Sequence, residues 1–295
     1  MEITDAEKLL LGTQYEPFIG TFQRVTLKDF QYSNLYKIGN ANLGYFALKV
    51  RKNNEKNVMD SINILDRIID ADNFINRNTG IIEKYGFVII ISEWLNGKQP
   101  IENRDTLPKF FSKLAMLNKN NIAKGPFTSM YLDGNYFNST SELVDFEINT
   151  HMKYFSNSLD KKKITDVLEN LKNGISCIIN EDMNCGNFFI TCEGEHKIVD
   201  TEWIIKSINL YQFQHIDYFG FNEKKWHTIT EEAEDCYRAY FNTLGTGNSE
   251  ANEQIRAIEL LNVLRENTFL KFSGKEYDKE MERRIETVLG KEKYI

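Results

Sequence analysis

Two carboxylates and one amide near the middle of the chain have a spacing that indicates a shared site. The segment ISCIINEDMNCGNFFIT, residues 175–191, holds two apolar runs separated by a polar stretch that contains Asp182 and Asn187. A later apolar run, KIVD, ends at Asp200. The runs on either side of CEGE read as a hairpin, and a hairpin brings Asn187 and Asp200 together although they lie at its opposite ends in sequence.

Oxygen ligands of this type suit Mg²⁺, which takes one or two protein ligands together with phosphate oxygens and water. A carboxylate that lies beside the ion without being needed to bind it can accept the proton of an attacking hydroxyl. Phosphoryl transfer requires this division of roles. The three residues are therefore candidates for a phosphoryl-transfer site.

The elements that must position these residues fall into two groups, of which the first is rich in strands. Apolar runs bounded by turn residues predict short strands, and Lys49 lies within one of them, YFALKVRK. Apolar residues at helical spacing between 57 and 69 predict one amphipathic helix. The predicted strands are residues 22–30, 33–38, 45–52, 80–86 and 87–95.

The second group begins at Thr106 and is mostly helical. Thr106 stands just before a proline near the start of an apolar-periodic segment, as at many helix starts. We therefore predict an α+β fold with a strand-rich lobe at residues 1–97 and a larger helical lobe at 98–295. The predicted helices of the second lobe are residues 106–120, 141–158, 161–172, 230–243, 251–266 and 276–289.

Composition limits the class of protein and its partners. The formal net charge of −7 argues against a general nucleic-acid binder, which normally carries a basic surplus. The longest apolar stretch, FVIIIS, is far too short to cross a bilayer, and the first residues show no signal peptide. The four cysteines form no CxxC pair, and the four histidines form no metal-binding cluster. We expect a soluble cytoplasmic protein that binds neither nucleic acid nor membrane. The sequence does not determine its oligomeric state.

With these motifs in this order, the chain resembles the aminoglycoside phosphotransferase and choline kinase family, small-molecule relatives of the protein kinases. The family's catalytic loop reads His-Gly-Asp, four residues, Asn, and an apolar strand then leads to Ile-Asp-Trp/Phe-Glu. Here residues 180–187 read NEDMNCGN and residues 198–202 read IVDTE. The resemblance implies a bilobal protein-kinase-like fold, with Asp182 as the catalytic base and Asn187 and Asp200 as the metal ligands.

The resemblance also implies a nucleotide site in the first lobe. DFQYSNLYKI keeps Ser33 and Asn34 of the family's nucleotide-covering loop, without its paired glycines. Lys49 in FALKV is similar to the lysine that holds the α- and β-phosphates. These similarities imply ATP, or GTP, and Mg²⁺ as cofactors. IIISEWLNGKQP resembles the hinge whose backbone receives the base, around Ser92, Glu93, Trp94 and Leu95.

Three positions depart from the family pattern. Asn118 and Asn180 stand where histidines are usual, and Glu181 stands at the glycine of the catalytic loop. The catalytic-loop histidine mainly bonds backbone near the metal-binding aspartate in this superfamily, so the amide of Asn180 can replace it. Glu181 either faces solvent or contacts a cationic substrate.

The acidic residue that pairs with Lys49 is less well determined by the sequence. Asp60 lies on the predicted helix, on the side away from its apolar stripe, and is the first choice. Asp66 and Glu55 are the alternatives. A solvated helix face explains each of these carboxylates equally well.

These inferences predict a phosphotransferase that moves the γ-phosphate of ATP to a hydroxyl of a small molecule. An aminoglycoside-like acceptor and a choline- or sugar-like acceptor both remain open, and a cationic one would suit the acidic run EEAED at 231–235. A helix start explains that run as well. The alternative function is a nucleotide-binding protein that keeps the kinase fold without turnover. Aromatic residues that could enclose a quaternary ammonium, or simply form core, are Trp203, Tyr218, Phe219, Phe221 and Trp226.

Overall fold

The computed structural model describes residues 1–25, 34–52, 56–70, 73–98, 106–129, 134–154, 161–183, 185–213, 231–272, 274, 278–291 and 293–295. The helices in these residues are α1 (Ile3–Leu10), α2 (Lys56–Leu65), α3 (Leu107–Asn120), α4 (Thr140–Met152), α5 (Lys161–Leu168), α6 (Glu231–Leu244), α7 (Asn248–Phe272) and α8 (Asp278–Gly290). The strands are β1 (Gln23–Arg24), β2 (Asn34–Asn40), β3 (Gly44–Lys52), β4 (Asn78–Lys84), β5 (Phe87–Glu93), β6 (Gly97–Lys98), β7 (Ser176–Asn180), β8 (Phe188–Thr191), β9 (His196–Ile198) and β10 (Ile204–Ile208).

The first lobe is built on a five-stranded antiparallel sheet in the order β1-β2-β3-β5-β4. Successive side chains of a strand point to opposite faces, so each strand contributes to both sides of the sheet. One face is apolar and packs against α1, with Tyr36, Leu48 and Ile89 fully buried in that core. Lys49 lies on the other face of β3 and is therefore directed toward the second lobe.

The second lobe has one large apolar core, to which α3–α8 and two small sheets contribute. β7 pairs with β10, and β8 lies between β6 and β9, all in antiparallel register. The ring of Phe188 on β8 stacks on Phe110 of α3 and meets Phe111 edge-on. This packing fixes β8 to the helical core, so the polar segment between β7 and β8 starts and ends on anchored strands.

The two lobes are joined at more than one place. β6 pairs with β8, so the chain has entered the second lobe's sheet by residue 97. The segment after α2 also contacts the second lobe, because Ile75 forms a parallel bridge with Ile198 of β9 and both Phe74 and Ile75 are buried in the second core. The side chain of Asn121, just after α3, bonds both backbone groups of Ile69. The first lobe is therefore attached through α2 and its following turn as well as through the hinge.

This arrangement confirms the predicted α+β class, with an antiparallel sheet in the first lobe and mostly helix in the second. The bounds of α3, α6 and α8 agree with the predictions to within two residues. α4, predicted at 141–158, ends at Met152, and α5, predicted at 161–172, ends at Leu168 and continues as a 3-10 helix over Glu169–Asn173. α7, predicted at 251–266, is longer and spans Asn248–Phe272. Its last turns are fixed by tertiary contacts, since Thr268 is buried and lies 2.9 Å from Nδ1 of His151 on α4. Within the described residues no helix is long and apolar enough to cross a membrane.

Candidate active site

Lys49 lies in a largely buried group of charges between the lobes. Its Nζ donates to both carboxylate oxygens of Asp200, at 2.9 and 3.0 Å, and lies 2.8 Å from Oε1 of Glu202. Arg51, two residues along the same face of β3, pairs with Glu202 as well. β3 therefore presents two cations to the two carboxylates that follow β9.

Asp182 lies in the loop between β7 and β8, and its backbone is held from both sides. Its N–H donates to Oδ1 of Asn180 at 3.2 Å. Its carbonyl accepts from Nδ2 of Asn187 at 2.6 Å, and the same nitrogen lies 3.3 Å from its Oδ2. The two asparagines thus fix the backbone that carries the Asp182 carboxylate.

Asn187 and Asp200 are brought together by the β8–β9 hairpin, as the sequence predicts. Phe188 and Ile198 are direct partners in the ladder, and the Val199 N–H donates to the Asn187 carbonyl at 2.9 Å. Asp200 itself has φ of +57°, in the left-handed region that non-glycine residues rarely adopt. Backbone conformations of this kind persist where the surrounding structure enforces them, and they are concentrated at functional sites.

Asn180 supplies the contact expected of the residue at the family's histidine position. Its side chain is buried, and its Nδ2 donates to the backbone carbonyl of Asp200 at 3.2 Å. Through its two side-chain atoms it therefore connects the backbone of Asp182 to the backbone of Asp200.

The oxygen donors at this site fit a magnesium ion completed by phosphate. Because Nδ2 of Asn187 donates to Asp182, the amide oxygen of Asn187 is the atom available as a ligand, and Asp200 supplies a carboxylate at the end of the same hairpin. The described part of the chain holds no group of three or more His, Cys, Asp or Glu side chains suited to a metal. Two oxygen ligands without a fuller protein cage are what Mg²⁺ uses when phosphates supply the remaining positions.

The predicted hinge, Ser92 to Leu95, begins inside β5: Ser92 and Glu93 are its last two residues, and Trp94 and Leu95 follow it. Ser92 lies opposite Ala47 of β3, and Trp94 donates its N–H to the Tyr45 carbonyl at 3.1 Å. The Glu93 carbonyl accepts from the side chain of Asn76 at 3.2 Å. Leu95 makes no hydrogen bond among the described residues.

The predicted nucleotide-covering turn is only partly visible. Ser33 lies outside the described residues. Asn34 is the first residue of β2 rather than part of a turn, and its Oδ1 accepts from the amino group of Met1 at 3.0 Å. The structure therefore gives the Asn34 side chain a partner on α1's side of the sheet and does not bring it to the Lys49 group.

The prediction that Asp60 pairs with Lys49 needs correction. Asp60 lies on α2, and its Oδ2 accepts from the hydroxyl of Tyr136 at 2.7 Å. Burial and this bond raise the pKa of Tyr136 to about 12. Among the described residues, the carboxylates that contact Lys49 are those of Asp200 and Glu202. Both residues lie in the short segment between β9 and β10, which packs against β3 at Lys49.

Neither expectation for Glu181 is met, since its side chain is fully buried rather than exposed to solvent or substrate. Its Oε1 accepts from the hydroxyl of Ser129 at 2.7 Å and lies 3.7 Å from the Arg265 guanidinium. Burying a carboxylate is costly unless hydrogen bonds and an opposite charge accompany it, and both are present here.

A cavity of about 310 Å³ lies outside this group, between α2 and β10. Its lining includes Asp60, Tyr136, Ser129, Trp203 and Lys206 but not Asp182 or Lys49. Trp203, considered above for a cationic acceptor, lines this cavity together with Ser129, whose hydroxyl bonds the Glu181 carboxylate. The other four aromatic candidates lie outside the described residues.

Sequence reasoning missed three residues that complete these contacts. Arg51 carried a readable signal, because it stands two positions after Lys49 on a strand and so shares its face. Ser129 and Arg265 carried none, since they lie 52 and 84 residues from Glu181 and their sequence surroundings show no motif.

Comparison with solved structures identifies the fold, whereas no protein-family model and no curated protein matches the chain. Aminoglycoside phosphotransferase APH(4)-Ia is similar with a TM-score of 0.63 and 12% identity over 98% of each chain. An ethanolamine kinase from Plasmodium vivax gives 0.61 at 13% identity, covering 96% of this chain and 86% of that one. A fructosamine-3-kinase candidate from Haemophilus somnus gives 0.56 at 12% identity over 96% of each.

A thermostable mutant of APH(4)-Ia, 14% identical over 97% of this chain and 98% of its own with a TM-score of 0.63, was solved as a ternary complex with ADP and hygromycin B. At such identities the likeness establishes the fold. The chain has the bilobal, protein-kinase-like fold of small-molecule kinases, as the resemblance in its sequence predicted.

Proposed function

We propose that this chain is a phosphotransferase that moves the γ-phosphate of ATP, or GTP, to a hydroxyl of a small molecule, with Mg²⁺ as cofactor. One observation carries the proposal: Lys49, Asp182, Asn187 and Asp200, predicted from three separate motifs, are linked by a continuous set of contacts between the two lobes. Because the identity to known kinases is low, a single motif carries little weight. The spatial convergence of residues from several motifs is therefore the stronger support.

Each residue is assigned the role that the sequence resemblance implies, and its contacts are compatible with that role. Lys49 would bind the α- and β-phosphates from β3, while Asn187 and Asp200 would hold Mg²⁺, which neutralises charge on the phosphates when bound. Asp182 would orient the acceptor hydroxyl and take its proton, and Asn180 and Asn187 hold the backbone of Asp182 for that task. In such a reaction the protein contributes mainly positioning and charge neutralisation.

The names of the fold neighbours and the charge of the chain support one class of acceptor. Their names refer to aminoglycosides, ethanolamine and fructosamine, all hydroxyl compounds that also carry amines. The acidic balance of this chain, −7, favours a cationic acceptor of the same kind. We place the reaction in the cytoplasm, where ATP is abundant.

The test is an ADP-release screen of the purified protein against hygromycin B, other aminoglycosides, ethanolamine, choline, fructosamine and simple sugars. Asp182→Asn, which keeps the size of the side chain, should lower turnover by roughly 10²–10⁴-fold because a positioned base contributes about that much. Its affinity for Mg-ATP should stay near that of the wild type, since Asp182 is not among the proposed ligands.

Two outcomes would contradict the proposal. Near wild-type turnover in Asp182→Asn would exclude Asp182 as the base. A nucleotide-induced rise in melting temperature, without ADP release for any acceptor, would favour the alternative of a nucleotide-binding protein without turnover.

A further inference from the structure

The residue just before the proposed base is held inside the protein by contacts from two distant segments. Glu181 has no exposed surface, and its N–H donates to the Trp203 carbonyl at 3.0 Å next to the β7–β10 ladder. Its carboxylate accepts from Ser129, which lies in the segment after α3. Nη2 of Arg265 on α7 lies 3.7 Å from the same carboxylate oxygen.

Arg265 is itself part of a buried charge cluster. Its Nε donates to Oε1 of Glu147 on α4 at 2.5 Å, and its guanidinium lies 4.6 Å from the ring centre of Tyr211. Burial would raise the pKa of Glu147, but the charge of Arg265 and the neighbouring His151 bring that pKa below its usual value. Glu147 is thus ionised, and one guanidinium serves two buried carboxylates.

This arrangement fixes Glu181 in place. A carboxylate in the protein interior is tolerated only close to an opposite charge and hydrogen-bond donors, so displacement of Glu181 from Ser129 and Arg265 would be costly. Since Glu181 is covalently next to Asp182, the same contacts restrict the first residue of the catalytic loop. Asn180 and Asn187 restrict it from the other directions.

We propose that Glu181 is a positioning residue, which uses Ser129 and Arg265 to hold the Asp182 backbone against the helical core. That this restriction serves catalysis rests on the proposed function. That Glu181 restricts the loop does not depend on it. It also explains how the chain tolerates a carboxylate where the family pattern has glycine: the cation and the hydroxyl that it needs come from α7 and from the segment at 126–129.

The decisive variant is Glu181→Gly, which installs the residue of the family pattern. If Glu181 were only a tolerated replacement, glycine would be neutral. We expect instead a looser loop, because glycine removes the carboxylate from Ser129 and Arg265 and adds backbone freedom beside Asp182. Glu181→Gln, which can still accept from Ser129, should lie between glycine and the wild type.

Hydrogen exchange followed by mass spectrometry tests the structural part without any acceptor. Amides of residues 178–190 should exchange about tenfold faster in Glu181→Gly. Losing roughly one hydrogen bond lowers the free energy of local opening by the amount that produces such a change. The matched control is Glu259→Gln on α7, a buried carboxylate that accepts from Tyr237 at 2.6 Å away from the catalytic loop. It should leave residues 178–190 unchanged.

Kinetics test the catalytic part once the screen supplies an acceptor. Turnover of Glu181→Gly should fall by about tenfold to a hundredfold, since small misplacement of a catalytic group costs up to ~10². KM for ATP should change little, because no proposed nucleotide contact is removed. Ser129→Ala should lower kcat in the same direction and serves if the glycine variant does not fold.

The outcomes separate the two proposals. Unchanged exchange at 178–190 in both Glu181 variants and in Ser129→Ala would overturn the positioning role, whatever the enzyme does. Faster exchange in the variants, with no acceptor phosphorylated by the wild type, would support the positioning role and count against the proposed function alone. Faster exchange with unaltered kcat would show that Glu181 orders the loop without serving catalysis, which also overturns the proposal.

Discussion

Asp200 connects the two halves of the candidate site at the level of single residues. Its carboxylate accepts from Lys49 of the first lobe, and its carbonyl accepts from Asn180 of the second. The left-handed backbone at Asp200 allows both contacts at once. Its side chain is only 16% exposed, so the contacts form in a largely desolvated space where charges interact strongly.

We predict that Asp200→Ala weakens binding of the Mg-nucleotide by more than about tenfold, since losing even an outer partner of a metal ligand costs roughly 10–100-fold. Titration calorimetry with Mg-AMP-PNP measures the effect. Asp235→Ala is the matched control, because Asp235 forms an exposed pair with Arg238 on α6, away from the site. An affinity equal to that of the wild type would exclude Asp200 as a metal ligand.

At the scale of elements, strand β9 begins with a histidine that must stay neutral. The His196 ring lies edge-on to Phe110 of α3 at 4.5 Å, and its Nε2 is buried without a hydrogen-bond partner among the described residues. Burial lowers the pKa of His196 below its ordinary value, and the nearby Lys113 and Lys109 lower it further. The β8–β9 hairpin that carries Asn187 and Asp200 therefore packs best with an uncharged His196.

This lowered pKa predicts an acid-sensitive contribution to stability. The unfolded chain binds the proton more readily than the folded one, so the contribution is complete above the ordinary histidine pKa of about 6.5 and declines as the pH falls below it. His196→Phe should keep the ring contact with Phe110 but cannot bind the proton. Its melting temperature should therefore fall less than that of the wild type when the pH is lowered from 7 to 5.5. Parallel melting curves of the two proteins over that range would show this; equal losses would contradict it.

At the scale of the whole molecule, a single buried asparagine fastens the lobes to each other. Asn121 of the second lobe accepts from the Ile69 N–H at 2.7 Å, and its Nδ2 donates to the carbonyls of Ile69 and Leu117, each at 2.8 Å. Ile69 follows α2 of the first lobe. The position of α2 above β10 thus depends on a side chain that reaches across the junction.

Asn121→Ala should therefore lower the free energy of unfolding by about 2–4 kcal/mol, since each of three hydrogen bonds contributes about 0.5–1.5 kcal/mol. Urea unfolding followed by tryptophan fluorescence measures it. Asn40→Ala is the control: Asn40 accepts from two backbone N–H groups within the exposed β2–β3 turn, so its loss should cost less. Equal effects of the two substitutions would mean that Asn121 does not fasten the lobes.

The sequence alone was sufficient to predict the features that local structure determines. Strand alternation placed Lys49 on one face of β3, and hairpin geometry brought Asn187 to Asp200, because neighbours along a strand or across a tight turn have no freedom to separate. The order of these motifs also determined the fold class and the resemblance to small-molecule kinases. The boundaries of α7 were less accurate, because its last turns depend on contacts with α4.

Only the tertiary structure decided which charges meet and which are buried. The sequence favoured Asp60 as the partner of Lys49, whereas Asp200 and Glu202 contact it in the structure, because the partner depends on how α2 and the segment after β9 pack around β3. Glu181 is polar and lies in a loop, so nothing in its neighbours along the chain predicts burial. It becomes buried because Ser129 and Arg265 converge on it from 52 and 84 residues away, and the free energy of a buried charge depends on such distant partners rather than on local sequence.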